Sequence, residues 1–541
     1  MPSAASIREA LSSRIASFDH QHKSYKWWIM ATVMIGTFMA VLDATIVNVA
    51  LNKIMASFGI PIEKAEWVLT AYMLVMAVMM PTSGWIADHF GYKRTYLFSL
   101  FIFTVGSLLC ALSWSANALI FFRVIQGMGT GMLMPVGMAI VTREFPPEKR
   151  GMALGFWGIA AAASVSFGPT IGGYLTDSYS WQSIFYINVP VGIVAMFGVW
   201  LFQHEFKTEK IRSFDTLGFF SLAFFLVALL LALAEGNAAW NTGGWTSNFI
   251  VFCFLIAALS FIVFLKTELT IKDPLIDLSL FKNFNYSVTN IVLFIFGLGM
   301  FGSTFLLPVY LQGMMGYTAL QAGLVFMPVG MIQGVMSPIA GMLADKYNPK
   351  VSSIVAIIIM AFSLYLNASL SLYSEHYQIM FALYLRGFSM GLLFISLSAI
   401  AVSDIPGHKM AQASGLFNVI RQIGGSFGVA LFSTMLIRRQ IFHMAIYGQT
   451  VDQYSPAFQG AARGLQGFAQ TVAGGTTSQA AARAKVLISS HIGKQAFVAS
   501  VDDVFLLAAA IILFSLIPIL LIRVKKKTKG QGKELRPALE E

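Results

Sequence analysis

Fourteen long apolar runs, none alternating between polar and apolar residues, constrain this chain more than anything else in it. A membrane-spanning helix needs about 20 predominantly apolar residues, whereas a membrane barrel shows alternation over segments of about 10. The runs therefore predict helices, over 27–50, 65–87, 95–113, 116–141, 152–175, 182–203, 215–235, 246–266, 287–312, 319–344, 351–372, 377–402, 411–436 and 503–523. Composition agrees: 57% of the 541 residues are hydrophobic and 11% are charged, against about a quarter charged in soluble domains. The expectation is an all-α polytopic membrane protein.

Lys and Arg set its orientation. With the N-terminus inside, inner loops and tails hold 25 of the 36, short outer loops hold Lys53 and Lys64, and the long loop 437–502 holds six. Both termini are expected in the cytoplasm. The net charge of +11 is then a topology signal and an attraction to anionic lipid, and no nucleic-acid partner is needed to explain it. The first 26 residues lack a short apolar core with a small-residue cleavage site, so no removable signal peptide is expected. Ile7, Leu11, Ile15 and Phe18 share one helical face, which fits an interfacial helix or a disordered tail equally. Cys110 and Cys253 fall within spans and read as packing residues, with no disulfide and no metal site.

A duplication organises the spans. Gly84-Trp85-Ile86-Ala87-Asp88 recurs as Gly341-Met342-Leu343-Ala344-Asp345, 257 residues later. Gln126-Gly127-Met128-Gly129-Thr130-Gly131 recurs as Arg386-Gly387-Phe388-Ser389-Met390-Gly391 at an offset of 260. Two motifs sharing nearly one offset map spans 1–6 onto spans 9–14, leaving spans 7 and 8 as an insert. The expected organisation is a tail over 1–26, a six-helix half over 27–204, inserted helices with flanking loops over 205–286, a second six-helix half over 287–523 containing loop 437–502, and a basic tail over 524–541.

Asp43 is the only acidic residue deep inside a predicted span. A carboxylate there costs several kcal/mol unless paired or protonated, which makes it a functional-site hypothesis. Asp43 and Arg123 each lie seven residues from the outer end of their spans, about 10 Å below the outer surface at 1.5 Å per residue. At matching depth they can pair, and protonation of Asp43 would release Arg123. The alternative is a static ion pair that only fixes packing. All eight His residues fall in loops, tails or span ends, which argues against an imidazole relay.

The motifs also carry a resemblance. Gly84 to Arg94 resembles the signature between spans 2 and 3 of the major facilitator superfamily, and Arg123-Val124-Ile125-Gln126-Gly127 its span-4 motif. Gly168-Pro169-Thr170-Ile171-Gly172-Gly173 resembles the antiporter motif of span 5, and Leu42 to Leu51 the family's span-1 run. With fourteen spans the chain is similar to drug:H⁺ antiporters of the EmrB/QacA type. His89 and Arg386 depart from the family pattern, and Arg386 adds a buried cation that the pattern does not explain. The resemblance implies a cytoplasmic gate on Gly84, Asp88, Gly91, Lys93 and Arg94, and an antiporter hinge on Gly168, Pro169, Gly172 and Gly173. Protons would be the coupling ion, with no other cofactor. Asp88 suits a helix N-terminus or an Arg, whereas Lys93 and Arg94 also fit plain positive-inside anchoring.

A cargo pocket is expected between the halves near mid-membrane, with Asn48, Tyr72, Gln126, Asn290, Gln312, Gln333, Arg386, Asn418, Arg421 and Gln422 as candidates amid abundant Met and Phe. Arg123, Arg386 and Arg421 face Asp43 alone within the spans, so the cargo is expected to be lipophilic and neutral or weakly acidic. Loop 437–502, with helical-looking stretches near 479–500, reads as a surface domain or a tethered insert. It resembles that of relatives that join a periplasmic adaptor and an outer-membrane channel, which implies a Gram-negative inner membrane. The expected function is proton-coupled export of lipophilic compounds by alternating access; the alternative is a proton-coupled transporter of one physiological solute. No His-x-x-Glu-His, Gly-x-Ser-x-Gly or nucleotide loop supports an enzyme.

Overall fold

The computed structural model describes residues 25–206, 213–403, 405–406, 409–451, 454–474 and 476–523. The N-terminal amphipathic stretch and the basic tail lie outside them. Among the described residues there are seventeen α-helices and no strand. The first seven are α1 (Tyr25–Phe58), α2 (Ile62–Phe90), α3 (Tyr92–Ala111), α4 (Ala116–Glu144), α5 (Arg150–Ser178), α6 (Ser183–Tyr186) and α7 (Asn188–Phe202). An inserted pair follows, α8 (Thr216–Glu235) and α9 (Asn248–Thr270). The remainder are α10 (Phe284–Gly313), α11 (Ala319–Lys346), α12 (Pro349–Leu366), α13 (His376–Ser403), α14 (Met410–Thr450), α15 (Pro456–Ala473), α16 (Thr477–Phe514) and α17 (Leu516–Leu521). Fourteen helical stretches are long and apolar enough to cross a membrane.

Helix starts follow local chemistry. Ser115, Asp215, Ser247 and Asn283 each accept a backbone N–H at the head of the helix they precede, and Thr318 with Gln321 forms a full capping box on α11; such caps contribute ~1 kcal/mol apiece. Gly91 turns the chain between α2 and α3 at φ 98°, a conformation that disfavours any side chain.

Packing repeats across the duplication. In the first six spans α1 lies on α5, α4 on both α2 and α3, and α3 on α7. In the last six, α10 lies on α14, α13 on both α11 and α12, and α12 on α16. The halves meet through α5 against α11 and α2 against α14, a pairing that the repeat also relates, while α8 and α9 pack on each other and α8 leans on α2 and α14. The architecture is two six-helix halves with two inserted helices.

The span expected at 182–203 is found over Ser183–Phe202, interrupted into α6 and α7 at Ile187, just before Pro190. One sequence expectation is narrowed. The segment 437–502 is no loose loop: α14 continues to Thr450, α15 forms a helix of its own, and α16 starts at Thr477 and runs on into the last span. Periodicity stopped the spans at the first charged residues, Arg438 and Arg439, but charge ends a hydrocarbon-buried stretch without ending a helix. Asp503 holds this junction, bonding Arg439 Nε and His443 Nε2 at 2.6 Å each.

Candidate functional site

Asp43 sits on α1, wholly buried, facing a polar cluster supplied by α4 and the α6–α7 break. Arg123 Nη1 donates to Asp43 Oδ2 at 2.5 Å, and neither side chain is exposed. Gln126, one turn along α4, donates to Asp43 Oδ1 at 2.8 Å and accepts from Arg123 Nη1 at 2.7 Å. Asn188 adds a second donor to Oδ1 at 3.2 Å and also reaches Ser107 Oγ at 3.0 Å. Arg123 Nε donates to Val68 O at 3.1 Å, and the guanidinium lies 3.8 Å over the ring of Tyr72, whose hydroxyl bonds Thr130 and Ala40 O.

Three donors on one carboxylate oppose the desolvation of a buried anion, which otherwise exceeds what a single ion pair returns. Removing either partner of such a pair costs about 3–5 kcal/mol, because the other charge is stranded. The sequence expectation that Asp43 and Arg123 meet is realised here, and Tyr72 and Gln126, considered for a cargo pocket, belong to this cluster instead. Asn188 was missed: an Asn-Val-Pro at the outset of a lipid-facing span carries no periodicity signal, and only the helix break turns its amide inward.

The antiporter-motif glycines explain how α1 comes close. A Cβ on Gly168 would overlap Thr45 Oγ1, and one on Gly172 would stand 2.7 Å from Ile46 Cγ1. Both neighbours lie within three residues of Asp43. Gly173 faces α11 instead, where a Cβ would be 2.9 Å from Leu320. Pro169 lies within the unbroken α5.

At the face where α1 begins and Arg523 ends, the two halves are latched. Asp345 accepts from Gly151 N at 2.9 Å and Met152 N at 2.7 Å, placing a carboxylate on the N-terminus of α5, where backbone N–H groups and the helix dipole favour it. Gly341 lies against Gly151, and Gly84 against Gln412, where a Cβ would be 2.8 Å from its side chain. The half of α4 towards this face, Gly129 to Thr142, is buried all round. Asp88 accepts from the Tyr92 hydroxyl at 3.1 Å. Lys93 Nζ donates to Trp200 O at 2.7 Å. Glu205 caps α3 by accepting from Lys93 N and Arg94 N at 3.1 and 3.2 Å. The hydrogen bonds of Lys93 and Arg94 thus stay with the first half and the start of the inserted segment, while at this face Asp345, which the duplication had aligned with Asp88, crosses between halves; further along α5, Ser166 Oγ donates across to Met327 O at 2.5 Å.

The remaining pocket candidates divide. Asn48 and Gln312, towards the opposite face of α1 and α10, are exposed; Gln333 and Gln422 are partly buried. Asn290 is buried and bonds Tyr286 O at 2.9 Å. Asn418 is buried, bonding Ser414 O at 2.9 Å and receiving a 3.4 Å contact from Arg421. Arg386 is 1% exposed. Among the described residues no cluster of three or more His, Cys, Asp or Glu is placed to hold a metal ion.

Known proteins match this arrangement. The family model described as Major Facilitator Superfamily matches residues 33–429. The multidrug export protein EmrB of Haemophilus influenzae is 33% identical, over 88% of this chain and 91% of its own. The riboflavin transporter RibZ of Clostridioides difficile is 32% identical, over 79% and 91% respectively. Among solved structures, the human organic anion transporter MFSD10 superposes with a TM-score of 0.57 at 13% identity, covering 90% of this chain and 99% of that one, a likeness of fold. Twelve spans in two related halves and two inserted spans, with these motifs on the helices where the duplication puts them, are a multi-pass membrane transporter: the chain belongs to the major facilitator superfamily and to its EmrB-type family.

Proposed function

We propose that the protein exports lipophilic compounds across a bacterial cytoplasmic membrane in exchange for protons, with Asp43 as the coupling carboxylate. The observation that carries this reading is the fully buried Asp43–Arg123 pair with its two amide donors. A proton on Asp43 cancels the charge that holds Arg123, Gln126 and Asn188 in place. The 3–5 kcal/mol tied up in such a pair is close to the ~5.5 kcal/mol that moves a two-state equilibrium from 1:99 to 99:1. Loss and gain of one proton is therefore enough to bias alternating access. The latch of Asp345 on α5 belongs to the state closed at the α1-entry face, which the Lys/Arg count assigns to the cytoplasm together with both termini. EmrB-type relatives named for multidrug export support a broad cargo. Similarity to a riboflavin transporter supports the second reading, a single physiological solute.

The helical hairpin built from the end of α14, α15 and the start of α16 is the candidate contact for a periplasmic adaptor and, through it, an outer-membrane channel. Phe468, Val472 and Val486 there are 61%, 69% and 68% exposed, an apolar display suited to burial against a partner.

The test is proton movement in proteoliposomes under an imposed pH gradient, on adding acidic, neutral and cationic lipophiles to wild type and Asp43→Asn. Proton release by the wild type alone supports coupling through Asp43. Equal proton release by both makes the pair structural and moves the coupling to another residue, and release by neither removes the antiport reading.

A further inference from the structure

The duplication leaves the second half electrically unbalanced. Arg386 stands at the repeat position of Gln126, yet the position on α10 that answers to Asp43 carries no acid: Phe301, Gly302 and Ser303 occupy that turn. Arg386 is 1% exposed, and its Nε, Nη1 and Nη2 have no hydrogen-bond partner among the described residues. Its described neighbour is the Phe505 ring, 5.8 Å away.

Arg421 on α14 repeats the pattern closer to open space. Its Nε is buried without a partner, its Nη2 makes a long 3.4 Å contact to Asn418, and its guanidinium lies 5.3 Å from the Phe394 ring and 5.8 Å from the Phe301 ring. The side chain is only partly buried. No ion pair among the described residues involves either arginine. Among the described carboxylates of the second half, Asp345, Asp502 and Asp503 serve α5, Leu370 and the Arg439–His443 pair, and Glu375 is exposed. Among the described residues neither guanidinium donates to a backbone carbonyl.

Guanidinium groups carry their charge at every physiological pH and cannot shed it on burial. A buried, unpaired one costs several kcal/mol until an anion arrives. We infer that Arg421 forms an anion subsite in the second half that takes the carboxylate or phenolate end of an exported lipophile, with Phe301 and Phe394 receiving its apolar body. The inference rests on the reading that lipophiles are the cargo, and divides the labour between halves: the first binds the proton at Asp43, the second reads the charge of the cargo. Arg421 supplies the planar donor fork that suits a carboxylate, at the edge of solvent-accessible space.

The test is equilibrium binding of three ligands sharing one ring system, naphthoate, naphthylmethanol and naphthylmethylammonium, to the full chain in lipid nanodiscs at neutral pH. The expected result for the wild type is a preference for the acid over the alcohol of about tenfold or more, as for a hydrogen bond to a charged group, and exclusion of the amine. Arg421→Gln abolishes the preference and Arg421→Lys keeps part of it. A wild type that binds acid and alcohol alike overturns the inference. So does a preference that survives Arg421→Gln in a monodisperse protein. Displacement of naphthoate by chloride, with the alcohol unaffected, reassigns the subsite to an inorganic anion and overturns the cargo assignment. No proton gradient enters this measurement, so a failure of coupling through Asp43 and a failure of the anion subsite are separately visible.

Discussion

Asn188 donates to Asp43 across the first half: its Nδ2 lies 3.2 Å from Oδ1, the same oxygen that Gln126 reaches at 2.8 Å. The α6–α7 break puts the amide there, and its second contact, to Ser107 Oγ at 3.0 Å, anchors it to α3. Hydrogen bonds to a carboxylate favour its charged form. Asn188→Ala withdraws one of them from a buried carboxylate, and transport is expected to slow with folding intact. The loss of one hydrogen bond to a charged group, about 1.5–3 kcal/mol, predicts a fall in rate of about tenfold or more. An unchanged rate in proteoliposomes would show that the amide only packs.

Gly172 sets how near α5 comes to the turn of α1 that bears Asp43. A Cβ would meet Ile46 Cγ1 at 2.7 Å and Ile46 O at 3.2 Å, and backbone cannot yield as a flexible side chain can. Gly172→Val is expected to cost about 1–3 kcal/mol through overpacking and to slow transport more than it lowers the melting temperature, because the displaced helix carries the coupling carboxylate. Gly448→Val, on the outer extension of α14 with nothing within 4 Å, is the matched control and leaves transport near the wild-type rate.

Much of this was legible in the sequence because lipid imposes a simple rule, that backbone polar groups be satisfied within each span. Apolar runs therefore marked helices, and the duplication marked which helices correspond. Depth counting brought Asp43 and Arg123 together for the same reason, since one residue advances a helix by a fixed rise. What escaped depends on direction more than depth. Asn188 turns inward only because α6 and α7 break at Ile187. Tyr72 and Gln126 were legible as polar residues in spans, but their side chains face Arg123 and Asp43 rather than open space. In 437–502 the stretch near 479–500 read as helical, whereas the continuation of α14 and the separate α15 escaped because water, unlike lipid, tolerates polar helix faces, so hydropathy falls silent there.

Asp345 joins the halves by capping α5 through Gly151 N and Met152 N. Asp345→Ala removes a charged N-cap, typically worth about 0.5–2 kcal/mol, from the state closed at that face and from no other described contact between halves. The closed population is expected to fall roughly tenfold relative to the open one. Spin labels at the facing ends of α5 and α11 would read this as a shift towards the longer of two distances. Persistence of the wild-type distribution would assign the closure to the glycine contacts alone.

The inserted pair is tied to the same face by Asp277, between α9 and α10, which accepts from Lys409 Nζ at 2.5 Å just ahead of α14. Partial burial pushes the Asp277 carboxyl up, but hydrogen bonds from Lys409 and Ser279 outweigh it and hold the group below its ordinary value. A carboxylate depressed on folding contributes stability that is fully present above its unfolded value and is lost as pH falls through the folded one. At neutral pH Asp277→Asn is therefore expected to destabilise the protein, by no more than about 1 kcal/mol given that water reaches both partners. In acid below the ordinary carboxylate range the variant and the wild type should melt together. Thermal unfolding of both proteins in detergent, taken from neutral pH into that range, checks the convergence; a constant gap across the series would mean that the contact is made by the neutral side chain and that the ion pair contributes nothing.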